Sequence, residues 1–206
     1  MKRTYLFSII LIIAAICPVM ALSADSAAEL IKHSADKMRS AQSVTATYTT
    51  SAGSHKGSGT IVISGDKFHI SSPGEITVWY DGRTQWAYSP ATGEVNIMEP
   101  TPEELAQINP FAIIGAFSRG YKASLLKAPA GQKKILLTAT SRKFDISKVT
   151  VTLGADLLPK HLTVTTVDGH TLNVTVNSIK LGGKVSDATF RFDKKKFPKA
   201  RITDLR

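Results

Sequence analysis

Five histidines, at positions 33, 55, 69, 161 and 170, are the first residues to ask for chemistry. None stands in an H-E-x-x-H or other metal-ligand spacing, and no G-x-S-x-G is present to hold a nucleophile. The adjacent carboxylates Glu103 and Glu104 resemble an acid/base pair, but they follow Thr101-Pro102, where acids serve a helix start and its dipole. Gly53, Gly57 and Gly59 lack the lysine and hydroxyl of a phosphate loop and read as a flexible hairpin loop. Asn173-Val174-Thr175 fits a glycosylation sequon within a threonine-rich strand. The residue types therefore point away from an enzyme and give no metal or cofactor site. What remains is apolar and aromatic: Phe68, Trp79, Tyr80, Trp86 and Tyr88 on strand-like segments, then Phe111, Ile113, Ile114 and Phe117 around most of one short helix. A helix that apolar needs an apolar surface beneath it, which gives either a filled core or a lidded cavity.

The elements that position these residues are mostly strands. Ser26 and Glu29 form a capping box that starts a helix with Leu30, Ile31, Ala35 and Met38 on one face. After Ser43 the period changes to two, and GTIVIS, DKFHISS and EITVWYD follow with Gly or Pro between them. Asp81-Gly82 is expected to be the two-residue turn joining EITVWYD to RTQWAYSP. Thr101 to Glu104 is a second capping box with Pro102 at the first helical position, and Asn109-Pro110 opens a third helix. From Tyr121 the strands resume through KILLTATS, ISKVTVTL, PKHLTVTTV, HTLNVTV and ATFRF. Their strict alternation predicts a sheet with one apolar face and one face in water. The expected fold is mainly β within the α+β class: an open, incomplete antiparallel barrel of about eleven strands with a three-helix lid.

Residues 1–24 read as a signal peptide, with Lys2 and Arg3 before the apolar run Tyr5 to Ile16 and cleavage after Ala21 or Ala24. That run is shorter than the roughly 20 residues of a bilayer span. Cys17 lacks the small preceding residue of a lipoprotein box and leaves with the leader, so neither disulfides nor thiol chemistry is expected. Residues 25–206 are expected to form a single exported, monomeric domain. Without Lys2 and Arg3 the chain carries 24 basic against 16 acidic residues, a net charge of +8. Residues 191–206 hold seven Lys or Arg against two Asp. Lys194, Lys195 and Lys196 are thus candidates for docking an acidic partner or membrane, with a solvated tail as the plainer reading. No nucleic-acid motif accompanies the charge, so nucleic acid is not expected as a partner.

In order along the chain, Lys67-Phe68, Pro73, the run Asp81, Gly82, Arg83, Thr84, Trp86, Tyr88 and Pro90, then Glu94-Val95, Asn109-Pro110-Phe111 and the ending FRFDKKKFPKARITDLR resemble the LolA family of periplasmic outer-membrane lipoprotein carriers. The resemblance implies a hydrophobic cavity for lipoprotein acyl chains, lined and lidded by Met38, Phe68, Trp79, Trp86, Tyr88, Ile108, Phe111, Ile114 and Phe117. It implies an inner-membrane ABC transporter as donor, an outer-membrane receptor or the outer membrane itself as acceptor, and no catalysis or cofactor. An Arg that latches the lid in that family aligns with His69 here, whose neutral ring offers one donor where guanidinium offers five. A periplasmic lipid- or peptide-binding sensor or scaffold of the same fold is the alternative, and a secreted hydrolase comes a distant third.

Overall fold

A computed structural model describes residues 26–101, 104, 105, 109 and 120–206. The leader, the expected third helix, Glu103, Ile108, Phe111, Ile114 and Phe117 lie outside the described residues.

Helix α1 (Ala27–Ser40) begins where its cap dictates: the Ser26 hydroxyl accepts from the Glu29 N–H, and the Ser26 N–H donates to the Glu29 carboxylate at 2.7 Å. Leu30, Ile31 and Ala35 are buried along one face, while Lys37 and Arg39 in the last turn complement the helix dipole. Lys37 Nζ also donates to the Asp156 carbonyl at 2.8 Å, tying the helix end to a distant hairpin turn.

Twelve strands follow: β1 (Ser43–Ala52), β2 (His55–Ser64), β3 (Lys67–Ser71), β4 (Thr77–Tyr80), β5 (Gln85–Ser89), β6 (Glu94–Met98), β7 (Tyr121–Leu126), β8 (Lys133–Ala139), β9 (Ile146–Leu153), β10 (Pro159–Thr166), β11 (Thr171–Gly182) and β12 (Arg201–Asp204). They form one sheet in the order β12-β6-β5-β4-β3-β2-β1-β11-β10-β9-β8-β7. Two meanders are thus joined through β1 and β11, and the sheet stays open, with edges at β12 and β7. At the β1–β11 seam the register shifts between Thr47 and Tyr48, leaving Asn177 as a bulge that bends the long central strands.

Several expectations need correction. The strand count is twelve, and β12 pairs with β6 in parallel, so the basic end is a hydrogen-bonded edge strand rather than a loose tail. Among the described residues α1 is the one α-helix, and of the expected second helix Glu104 and Leu105 are helical. The β4–β5 turn lies one residue later than expected: Gly82 and Arg83 are its centre, and of these only Gly82 takes a positive φ, 101°. Asp81 instead closes the turn, its carboxylate accepting from the N–H groups of Arg83 and Thr84. Only Gly53 of the glycine cluster is in a turn, since Gly57 and Gly59 lie within β2. Gly59 is directly opposite Tyr48, and a Cβ there would come within 2.7 Å of both Tyr48 Oη and Ser72 Oγ. Only glycine lets the Tyr48 ring lie over that backbone.

Period two gives the sheet its faces. On the inner face Ala46, Ile61, Phe68, Ile70, Val78, Tyr80, Leu137, Val149, Val151, Leu162 and Val174 join α1 in one buried cluster. On the outer face of β8–β11 the same alternation sets out Thr138, Thr150, Thr152, Thr163, Thr165, Asn173 and Thr175, none of them buried.

Candidate functional site

The inner face meets the expected lid at Leu105. The Thr101 N–H donates to the Glu104 carboxylate at 2.8 Å and the Glu104 N–H to Thr101 Oγ1, which completes the second capping box. Glu104 is thereby a cap rather than half of an acid/base pair. Helical bonding continues from Leu105 N–H to Thr101 and from Asn109 N–H to Leu105, and Leu105 packs against the buried cluster shared by α1 and the inner face. Consecutive in sequence, β6 and β7 stand at opposite ends of the sheet order. Residues 99–120 therefore connect one end of the open sheet to the other.

Of the candidate cavity residues, Phe68 is on the inner face, 2% exposed, with its ring 5.3 Å from that of Tyr80. Met38 packs against the same cluster from α1. The register places Trp79, Trp86 and Tyr88 elsewhere. His69 pairs with Trp79 and Trp79 with Trp86, and Tyr88 pairs with Thr77, so all lie on the outer face, opposite to Phe68, Ile70 and α1. The inner positions left out of the expected cavity lining are Ile70, Val78, Tyr80 and Leu105. Counting in twos from Phe68 reaches Ile70 and would have found the first of them.

Inner-face Gln85 faces Tyr80 and Met98 across its neighbouring strands and is buried. Its carboxamide oxygen has no hydrogen-bond partner among the described residues. Such an orphaned acceptor costs about 1–3 kcal/mol, and a donor on a bound molecule would relieve it. Tyr48 is on the same face, its hydroxyl bonded to Ser72. Burial, with the Glu75 carboxylate adding to it, pushes this phenol above its ordinary pKa.

The outer face of β3–β6 is covered rather than wet, because residues 183–200 cross it before entering β12. A 3₁₀ turn at Asp187–Phe190 packs against β3 and β4 and buries Phe190 completely. Trp79 meets the edges of Phe192 and Phe197 at ring distances of 5.5 and 5.7 Å, and Tyr88 lies 4.6 Å from Phe197. Ion pairs pin this strap along its length: Lys67 with Asp187 at 2.7 Å, Arg191 with Asp81 at 3.2 Å and Arg201 with Glu94 at 2.8 Å. Lys194–Lys196 form a second 3₁₀ turn capped by Asp193.

His69 is part of this outer cluster. Its ring stacks on Trp79 at 5.1 Å, and its Nδ1–H donates to the Val78 carbonyl at 3.0 Å. A latch position facing the lid side is therefore corrected to a second, outer core. Burial holds the imidazole pKa below its ordinary value, and the nearby Lys196 ammonium lowers it further against the opposing effect of the Val78 carbonyl.

Comparison with solved structures supports the fold. An uncharacterized conserved protein from Thermus thermophilus superposes with a TM-score of 0.57 at 13% identity, covering 85% of this chain and 97% of its own. A LolA superfamily protein from Nitrosomonas europaea has a TM-score of 0.45 at 15% identity, covering 82% and 99%. A DUF1329 family protein from Desulfovibrio piger has 0.49 at 13%, covering 80% and 95%. No curated protein sequence matches. Residues 18–169 match the family described as outer membrane lipoprotein carrier protein LolA, which is most of the chain, so this protein belongs to the LolA family.

Proposed function

We propose that this protein is a periplasmic carrier that shelters lipoprotein acyl chains against the inner face, beneath the segment 99–120, and moves them from inner to outer membrane. The observation that carries this reading is the chain path. An apolar, buried inner face shares its core with Leu105, and the connection holding Leu105 joins the two ends of an open sheet. Phe68 and Met38 form part of the wall in this reading, and Ile108, Phe111, Ile114 and Phe117 supply the lid.

The energetics suit a carrier that must also release. A dozen buried methylenes contribute about 10 kcal/mol, a dissociation constant of about 0.1 µM. Each lid side chain that must leave its own apolar contact on opening subtracts about 1.5–3 kcal/mol, weakening cargo binding about tenfold or more. The orphaned Gln85 oxygen is an acceptor for an N–H donor at the acylated end of the cargo. The donor would be an inner-membrane ABC transporter, and the acceptor an outer-membrane receptor or that membrane. In this reading the protein binds and releases without catalysis.

The test is titration with a fluorescent acyl probe, displaced by a lipidated peptide, together with native mass spectrometry of protein taken from the periplasm. Saturable binding, displacement and a co-purifying lipidated protein are expected. No probe binding, or a bare co-purified lipid that lipidated peptide does not displace, would overturn the proposal.

A further inference from the structure

In and beside the strap, Arg191 and Arg201 are held in ion pairs while the lysines have none among the described residues, and a second basic region lies elsewhere. Residues 120–148 contain Lys122, Lys127, Lys133, Lys134, Arg142, Lys143 and Lys148 against the single acid Asp145, a local excess of +6. None of these seven forms an ion pair among the described residues. Register concentrates three of them on one surface. Lys122 and Lys148 each face Thr138 from the two sides of β8, and Lys134 faces Thr152, so all three stand on the outer face of β7–β9. At the end of the edge strand Leu126, across from Lys134, stands on this same face and is 40% exposed, while Leu125, across from Ile135, is turned to the inner side of the rim and is 48% exposed.

We propose that this edge, the outer face of β7–β9 with the tip of β7, docks on an anionic lipid bilayer. Composition favours a bilayer over an acidic protein. Protein interfaces are enriched in arginine and aromatic residues and depleted in lysine, whereas this face presents Lys122, Lys134 and Lys148 and residues 120–148 as a whole hold six lysines and one arginine. Lysine's flexible point charge needs no fixed fork of acceptors, which suits mobile headgroups. Its stem also keeps the charge in water while neighbouring Leu126, with Leu125 at the same rim, reaches the acyl boundary. Lys122 on an open edge strand disfavours the addition of a partner strand. The position is apt, since β7 is the strand on which segment 99–120 ends. Docking does not depend on what the inner face carries.

Cosedimentation of the whole protein with vesicles of phosphatidylglycerol and phosphatidylcholine, against vesicles of phosphatidylcholine alone, tests this. Binding is expected to the anionic vesicles only. It should fade as salt rises from about 0.01 M to about 1 M, where the screening length falls from about 30 Å to about 3 Å. Each lysine near an anionic surface contributes about fivefold, so K122Q/K134Q/K148Q together should lose about a hundredfold. L125S/L126S should lose about tenfold, and K194Q/K195Q/K196Q should change little. Equal binding to both vesicle types, or an equal loss in the strap triple variant, would overturn the proposal. Unchanged binding by L125S/L126S would also overturn it, and would assign the charge to a soluble acidic partner. The acyl-probe titration separates the two proposals. Vesicle docking without probe binding sinks carriage alone, and probe binding without docking sinks this surface alone.

Discussion

Phe190→Ala tests whether the outer face of β3–β6 is a genuine second core. The side chain is completely buried beneath the strap, so its removal forfeits about 2–3 kcal/mol of transfer energy. The cavity left behind brings the total to about 3–5 kcal/mol. The flanking pairs Lys67–Asp187 and Arg191–Asp81 are surface pairs that water and salt screen, so they cannot compensate. The matched control is Thr150→Ala on the outer face of β9, where no strap covers the strand and the change should stay within about 0.5 kcal/mol. The assay is urea unfolding followed by tryptophan emission, since Trp79 and Trp86 lie on the covered face, and by far-UV circular dichroism. With a slope of about 2 kcal/mol/M, Phe190→Ala should lower the midpoint by about 2 M and Thr150→Ala by about 0.25 M or less. A Phe190→Ala midpoint as high as that of the control would refute the second core. So would an early emission change with the dichroism intact, because the strap would then melt as a separate flap.

The other predictions concern single positions on each face. His69 has a depressed folded pKa, so the unfolded chain binds more protons below about pH 6.5. Its contribution is present above that pH and lost on acidification, and His69→Leu should flatten the stability profile from pH 6.5 down to 5. An unchanged acid slope in the variant would remove His69 as the cause. Gly59→Ala should cost about 1–3 kcal/mol in the same urea assay, because its Cβ meets Tyr48 Oη and Ser72 Oγ at 2.7 Å, and a wild-type midpoint would show that Tyr48 moves freely. Phe68→Leu should change acyl-probe affinity by about tenfold and Tyr88→Leu by less than about twofold, so equal effects would contradict the assignment of faces. Gln85→Leu removes an orphaned acceptor and should raise the midpoint while weakening lipidated peptide more than a plain acyl probe. Parallel losses for both ligands would show that the carboxamide reads nothing on the cargo.

Both capping boxes were legible because each is a local device: Ser26 with Glu29 and Thr101 with Glu104 need only a three-residue spacing. The one-sided sheet was legible in β8–β11, where threonines alternate with valines and leucines and water takes the polar face. It was not legible in β3–β5. There KFHIS alternates, but TVWY carries apolar side chains on both faces and QWAYS turns Trp86 and Tyr88 outward and Gln85 inward, so alternation misplaces the aromatics and only pairing assigns them. The misplaced turn at Asp81 does not explain this. Moving the turn by one residue places Trp86 opposite Trp79 rather than Thr77, but both partners are on the same face. What was missing was the cover, a segment more than a hundred residues away in sequence whose lysines drew attention from its three phenylalanines.

That cover also changes how the surface charge should be read. With Phe190 buried, Asp187, Arg191 and Arg201 are held in ion pairs to Lys67, Asp81 and Glu94, and Lys196 lies near the half-buried imidazole of His69. A second group of cations without ion pairs among the described residues lies at the other edge of the sheet, scattered through residues 120–148 where no run betrays them, and strand pairing alone gathers Lys122, Lys134 and Lys148 onto one face. The same pairing thus leaves an apolar inner face for the proposed cargo, gives one half of the outer face to a second core and gathers a basic surface at the opposite edge.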